Sequence, residues 1–139
     1  MKKTFLTVVL LCLALSAAAF GEAGYRQINQ EEAARIMAEE TGYLLLDVRT
    51  KEEYDAGHIP GAVNLANEDI GTETIPLLPD KGQTLLVYCR SGRRSKEAAE
   101  KLAALGYTHV LEFGGIMSWS GEVVTSEAEA GEDPSGAQG

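Results

Sequence analysis

The sequence predicts an α/β domain in which a mostly parallel sheet is covered by helices on both faces. Three observations support this. Short β-like apolar runs alternate with helical stretches from residue 24 to 125, and several of those runs are nearly continuously apolar, as in strands buried on both sides. Helix start and stop signals fall between them. Alternation of this kind gives parallel strands joined by helical crossovers.

Taken in order, Tyr25 to Ile28 is a short strand candidate, and Asn29 followed by Glu32 has capping-box spacing for a helix that Gly42 ends. Tyr43 to Val48 is the most continuous apolar strand. Thr50 and Glu53 repeat the capping-box spacing, and Gly57 closes that short helix. Ala62 to Leu65, Leu85 to Tyr88 and His109 to Glu112 are three further strands. The helical stretch Lys96 to Leu105 precedes the last of these, and Gly106 stops it. About 100 residues suffice for one core and not for two.

The ends differ from the middle. Lys2 and Lys3 form a positive n-region, Phe5 to Leu15 an apolar h-region, and Ser16-Ala17-Ala18-Ala19 the small residues a signal peptidase requires, so residues 1–19 read as a secretory signal peptide. The apolar stretch is shorter than the roughly 20 residues that span a bilayer. Leu11 before Cys12 argues against a lipoprotein. Residues 126–139 are Ser, Glu, Ala, Gly, Asp, Pro and Gln with almost nothing to bury, and are expected to be a disordered acidic tail.

Removing residues 1–19 takes two of the 12 Lys and Arg residues and leaves 21 acidic ones, a charge of −11. That balance excludes nucleic acid and anionic membrane surfaces as partners, and no stable membrane association is expected after cleavage. One cysteine, Cys89, remains. It has no intramolecular disulfide partner, so it is not a structural staple in an oxidising compartment. The only histidines, His58 and His109, have no cysteine cluster beside them, and neither metal nor cofactor is expected.

Cys89 lies where a strand ends and a short loop, Arg90-Ser91-Gly92-Arg93-Arg94-Ser95, leads into a helix. With apolar neighbours it would read as a core residue; here they are Arg, Ser and Gly. Loop amides turned inward and the positive end of the helix dipole favour a thiolate. Arg90, Arg93, Arg94 and Lys96 all fall within seven positions of Cys89, and no carboxylate interrupts Lys81 to Lys96. A positive island in an acidic protein selects a small anion. Ligands of open α/β sheets bind at the carboxyl ends of the strands, where Asp47 and Arg49 also end one. Either they order the cysteine loop, or they make a local salt bridge such as Arg49 to Glu53.

Several motifs in this order resemble a single-domain rhodanese, a sulfurtransferase. They are Leu46-Asp47-Val48-Arg49 with Glu53-Tyr54, Gly57-His58-Ile59-Pro60-Gly61-Ala62-Val63-Asn64, the cysteine loop, and Gly106-Tyr107 with Gly114-Gly115-Ile116 and Trp119. The resemblance covers roughly residues 24 to 124, and the exported form is similar to the bacterial periplasmic, phage-shock type. It implies a rhodanese-like fold with a five-stranded parallel sheet, and a persulfide carried on Cys89.

On that resemblance, sulfane sulfur moves from thiosulfate, polysulfide or a related anion through Cys89 to cyanide or a thiol, by double displacement. Arg90 and Arg93 are placed to hold the donor, and the amides of Arg90 to Ser95 to stabilise sulfur anions. Ser91 and Ser95 can donate side-chain hydrogen bonds, although Ser95 equally suits a helix cap. His58 invites a general-base role that transfer to a preformed thiolate does not need. The alternatives are a sulfane-sulfur carrier, sensor or interaction module with little turnover, a thiol redox protein working through an intermolecular disulfide, and a cysteine phosphatase or arsenate reductase. Tyrosine-phosphatase-type loops place their arginine one position further from the cysteine than Arg94 is here. The chain also offers no obvious Asp general acid.

Overall fold

A computed structural model describes residues 24–131. The expected signal peptide, Cys12 and the last eight residues of the expected tail lie outside them. Five strands form one sheet: β1 (Arg26–Gln27), β2 (Leu44–Asp47), β3 (Val63–Asn64), β4 (Leu85–Cys89) and β5 (Val110–Gly115). Their order is β1-β5-β4-β2-β3, and every pairing is parallel. The helices are α1 (Gln30–Glu39), α2 (Lys51–Ala56), α3 (Arg93–Ala104) and α4 (Ser126–Gly131), with short 3-10 turns at Asn67–Asp69 and Ile116–Ser118.

The central strand β4 is buried along its whole length. Its side chains alternate between two cores. Leu85, Val87 and Cys89 pack with Leu46, Val110 and the α3 residues Ala98, Ala99 and Leu102. Leu86 and Tyr88 pack with Leu45, Leu111, Phe113 and the α1 residues Ala33 and Ile36. Cys89 therefore belongs to the α3 face and its neighbour Tyr88 to the opposite one.

The local signals act at several boundaries. The Thr50–Glu53 capping box forms in both directions, and Gly57 caps the end of α2. At the end of α3, Gly106 sits at φ +99, its N–H reaches Ala103 O and that of Tyr107 reaches Leu102 O. These two bonds make a Schellman closure that needs a left-handed residue. The Asn29 signal forms only in one direction: its side chain accepts from Glu32 N, while the Glu32 carboxylate turns to Arg26. Helix α1 ends at Glu39, before Gly42, whose φ of +81 serves the turn into β2.

Two expectations are corrected. β5 runs past Glu112 to Gly115, because a register shift lets Phe113 and Gly114 bulge while pairing resumes at Cys89 and Gly115. Residues Ser126–Gly131, expected to be disordered, form α4 instead. Composition alone missed what anchors them. Val124 pairs with His58 through two backbone hydrogen bonds, Thr125 Oγ1 accepts from Ala128 N, and Ser126 Oγ donates to Asp55 on α2. No described helix is long and apolar enough to cross a membrane.

Candidate active site

Cys89 is the last residue of β4 and is only 1 % exposed. The chain then turns through Arg90, Ser91 and Gly92. Gly92 is the N-cap of α3 at φ +115, and its N–H donates to Cys89 Sγ at 3.0 Å. A side chain disfavours that backbone angle, so glycine is what aims this amide at the sulfur. Gly92 N is the loop amide that bonds Sγ among the described contacts; the others expected from Arg90 to Ser95 do not. Gly115 stacks directly under the turn: a Cβ there would lie 1.9 Å from Arg90 O and 2.6 Å from Ser91 N.

Ser95 lies inside α3 and is not its cap. Its fully buried Oγ is 3.4 Å from Cys89 Sγ, 2.9 Å from Gly92 O and 2.7 Å from Oε2 of Glu112. That carboxylate, 2 % exposed, also accepts from Gly114 N at 2.7 Å. Glu112 was missed as a site residue. Its signal was an acid inside an otherwise apolar run, on the same strand parity as Val110, which places it under α3 with Cys89.

The basic cluster separates. Arg90 is exposed and makes no side-chain ion pair among the described residues. Arg93 points outward to Glu97 at 3.5 Å. Arg94 is held by Glu53 through two hydrogen bonds of 2.7 and 3.0 Å, which draw the Glu53 carboxyl down to about 2. Ser91 is exposed, as is Lys96. Beside Arg90 a cavity of about 370 Å³ is bounded by Arg49, Glu53, Gly57, Ile116, Met117 and Val123.

Asp47 and Arg49 pair with each other, not with Glu53. The fully buried Asp47 receives Arg49 Nε and Nη2, the latter at 2.7 Å, and Nη2 also donates to Gly57 O. Burial opposes the guanidinium charge, and the bonds from Asp47 override it, holding Arg49 above its ordinary value. Asn64 Nδ2 donates to the carbonyls of Asp47 and Arg49 and fixes that turn. This pair lies with Tyr88 on the face opposite Cys89, so it supports the strand ends without touching the sulfur.

His58 does not reach the cysteine in any described contact. It is buried, stacked on Tyr54 at 3.8 Å between ring centres, with Nδ1 2.7 Å from Tyr54 O. Its Nε2 lies 2.9 Å from Glu129 Oε2 without forming a hydrogen bond among the described residues. A general-base role for His58 at Cys89 is not compatible with this placement.

The family model for the rhodanese-like domain matches residues 29–122. The chain belongs to the rhodanese-like family. Thiosulfate sulfurtransferase PspE of Escherichia coli is 41 % identical over 71 residues, 51 % of this chain and 68 % of that protein. A sulfurtransferase of Allochromatium vinosum is 36 % identical over 97 residues, 68 % of this chain and 87 % of its own. Among solved structures, a rhodanese with anions from E. coli superposes with a TM-score of 0.55 at 38 % identity, covering 60 % of this chain and 99 % of that one. The rhodanese fold and its five-stranded parallel sheet agree with the sequence expectation, and this member is a rhodanese-type sulfurtransferase.

Proposed function

We propose that Cys89 accepts the outer sulfur of thiosulfate or a related anionic donor and passes it, as a persulfide, to a thiol or to cyanide. The observation that carries this reading is the sulfur of Cys89 at the end of β4, 3.0 Å from an amide fixed by a left-handed glycine, with Arg90, unpaired among the described residues, at the rim. The thiolate attacks the outer sulfur, the donor S–S bond breaks, and sulfite leaves with the electron pair. Arg90 offsets the charge of the approaching dianion, and Gly92 N donates to the sulfur anion before and after transfer. An acceptor thiolate then attacks the persulfide and restores Cys89. Arg94 is already engaged by the Glu53 carboxylate, which supports sulfur transfer over phosphoryl transfer.

The test is intact mass. The mature protein incubated with thiosulfate, then with polysulfide, gains one sulfur atom on Cys89 that cyanide removes, and Cys89→Ser gains none. No gain from either donor, or an equal gain in Cys89→Ser, overturns the reading. The burial of Cys89 favours a second reading, a carrier with slow turnover, since a sulfur closed off from solvent exchanges slowly. Stoichiometric loading with little steady-state release of sulfite would select it. The export signal expected in residues 1–19 supports a periplasmic location, which cell fractionation tests.

A further inference from the structure

Glu112 is a buried carboxylate that the transfer steps leave unused. No Lys or Arg bonds to it among the described residues. Its partners are the Ser95 hydroxyl, the Gly114 amide and, at 3.4 Å, the Gln27 side-chain amide. Ser95 Oγ is 2.7 Å from this carboxylate on one side and 3.4 Å from Cys89 Sγ on the other. A hydroxyl has one hydrogen and two lone pairs. While Glu112 is ionised, the Ser95 hydrogen goes to the carboxylate and Ser95 offers Cys89 a lone pair, which suits the thiol. Once Glu112 is protonated, it donates to Ser95, and the Ser95 hydrogen is released from the carboxylate, so that a sulfur anion competes for it with the neutral carbonyls Gly92 O at 2.9 Å and Gly114 O at 3.4 Å.

We propose that Glu112, acting through Ser95, holds the proton that Cys89 sheds to become a nucleophile. The step is Cys89–SH plus Glu112–COO⁻ giving Cys89–S⁻ plus Glu112–COOH. One S–H bond breaks, one O–H bond forms, Ser95 exchanges its hydrogen in passing, and the net charge is unchanged. A thiolate and a carboxylate sharing one closed region repel each other, and a single shared proton removes that repulsion. During transfer Glu112 keeps the proton while the persulfide anion keeps the Ser95 hydrogen bond.

The charged and titratable groups around this chain of atoms do not supply a substitute. Arg90 is exposed at the rim, and Arg94 is fixed first by Glu53 and feels Cys89 only at longer range. Tyr25 on the β1 side is kept protonated by burial, then by Glu100 and Glu112. Glu100 of α3 adds a second negative charge. Glu112 is thus a positioning residue that sets the protonation of Cys89. The inference rests on Cys89 being the sulfur carrier, but its test reads protonation rather than sulfur transfer.

The experiment follows alkylation of Cys89 by iodoacetamide in the full chain from acid to mildly alkaline pH, with the site read by peptide mass. Glu112→Gln places a neutral donor beside Ser95, as the protonated acid would. Its alkylation midpoint is expected to fall by about one pH unit, roughly tenfold in reactive fraction on the acid limb. In a Ser95→Ala background the same substitution shifts the midpoint much less. An unchanged midpoint, or an equal shift with and without Ser95, overturns the proposal. Should Glu112→Gln not fold, carbon-13 carboxyl NMR of the unsubstituted protein replaces it. The Glu112 signal then titrates with the midpoint of Cys89 and loses that step when Cys89 is alkylated; independent titration overturns the proposal. A protein that shows the coupling yet takes no sulfur from thiosulfate or polysulfide refutes the transfer reading and not this one.

Discussion

Two buried carboxylates stand at the same edge of the sheet, on opposite faces and on opposite sides of β4. Asp47, at the end of β2, is met by a guanidinium with two hydrogen bonds. Glu112, in β5, is met by a hydroxyl and amides. The first is neutralised by a full charge, and its removal would leave Arg49 buried and unpaired. The second has only neutral donors among the described residues, so no buried cation depends on its charge. Similar burial thus produces a fixed support beside Tyr88 and an adjustable group beside Cys89.

The sharpest way to break this contrast is Asp47→Asn. It strands the Arg49 charge and is expected to cost about 3–5 kcal/mol, measured by urea unfolding. A cost below about 1 kcal/mol would mean that the two carboxylates are equivalent. Gly115→Ala comes next. Its methyl group collides with the Arg90 carbonyl, which side-chain rotation cannot relieve. The expected cost is about 1–3 kcal/mol, with about a hundredfold loss of persulfide formation as the loop shifts.

Glu112→Gln is expected to cost about 0.5–1.5 kcal/mol in the same urea assay, because the amide keeps part of the network and no charge is orphaned. Glu53 lies between the extremes, a half-buried acid on a guanidinium. Its carboxyl is lowered from 4.5 to about 2, first by Arg94 and then by Thr50. A depressed carboxylate stabilises the fold above its ordinary titration range and loses that contribution as pH falls from about 4.5 toward 2. Glu53→Gln should abolish this slope, worth about 1 kcal/mol after screening at a partly exposed pair, in urea midpoints taken across that window. The smallest effect is Glu129→Ala, expected at about 0.5 kcal/mol and detectable as faster amide exchange in α4.

Much of the scaffold was legible because it is local. The apolar runs of β2 and β4 appear as continuous sequence, the Thr50–Glu53 box is three residues wide, and Gly106 follows directly on the helix it closes. The cysteine loop was legible through its charges, but the destinations of those charges were not. Arg94 meets Glu53 across 41 positions, and Ser95 meets Glu112 across 17, through a bulge that only the β4–β5 register creates. Spacing rules for helices and strands contain neither pairing. The error on α4 has the same origin: residues 126–131 offer little to bury, and their order comes from Val124 pairing with His58 and from Ser126 reaching Asp55.

The outermost strands, β1 and β3, are two residues long apiece, while the interior strands carry the length of the sheet. A neighbouring molecule finds only a couple of free backbone groups at either rim, too few to template an added strand. Among the described residues the sheet's rims therefore disfavour self-association by sheet extension, which leaves the acidic balance of the sequence as the main term in colloidal stability at high concentration.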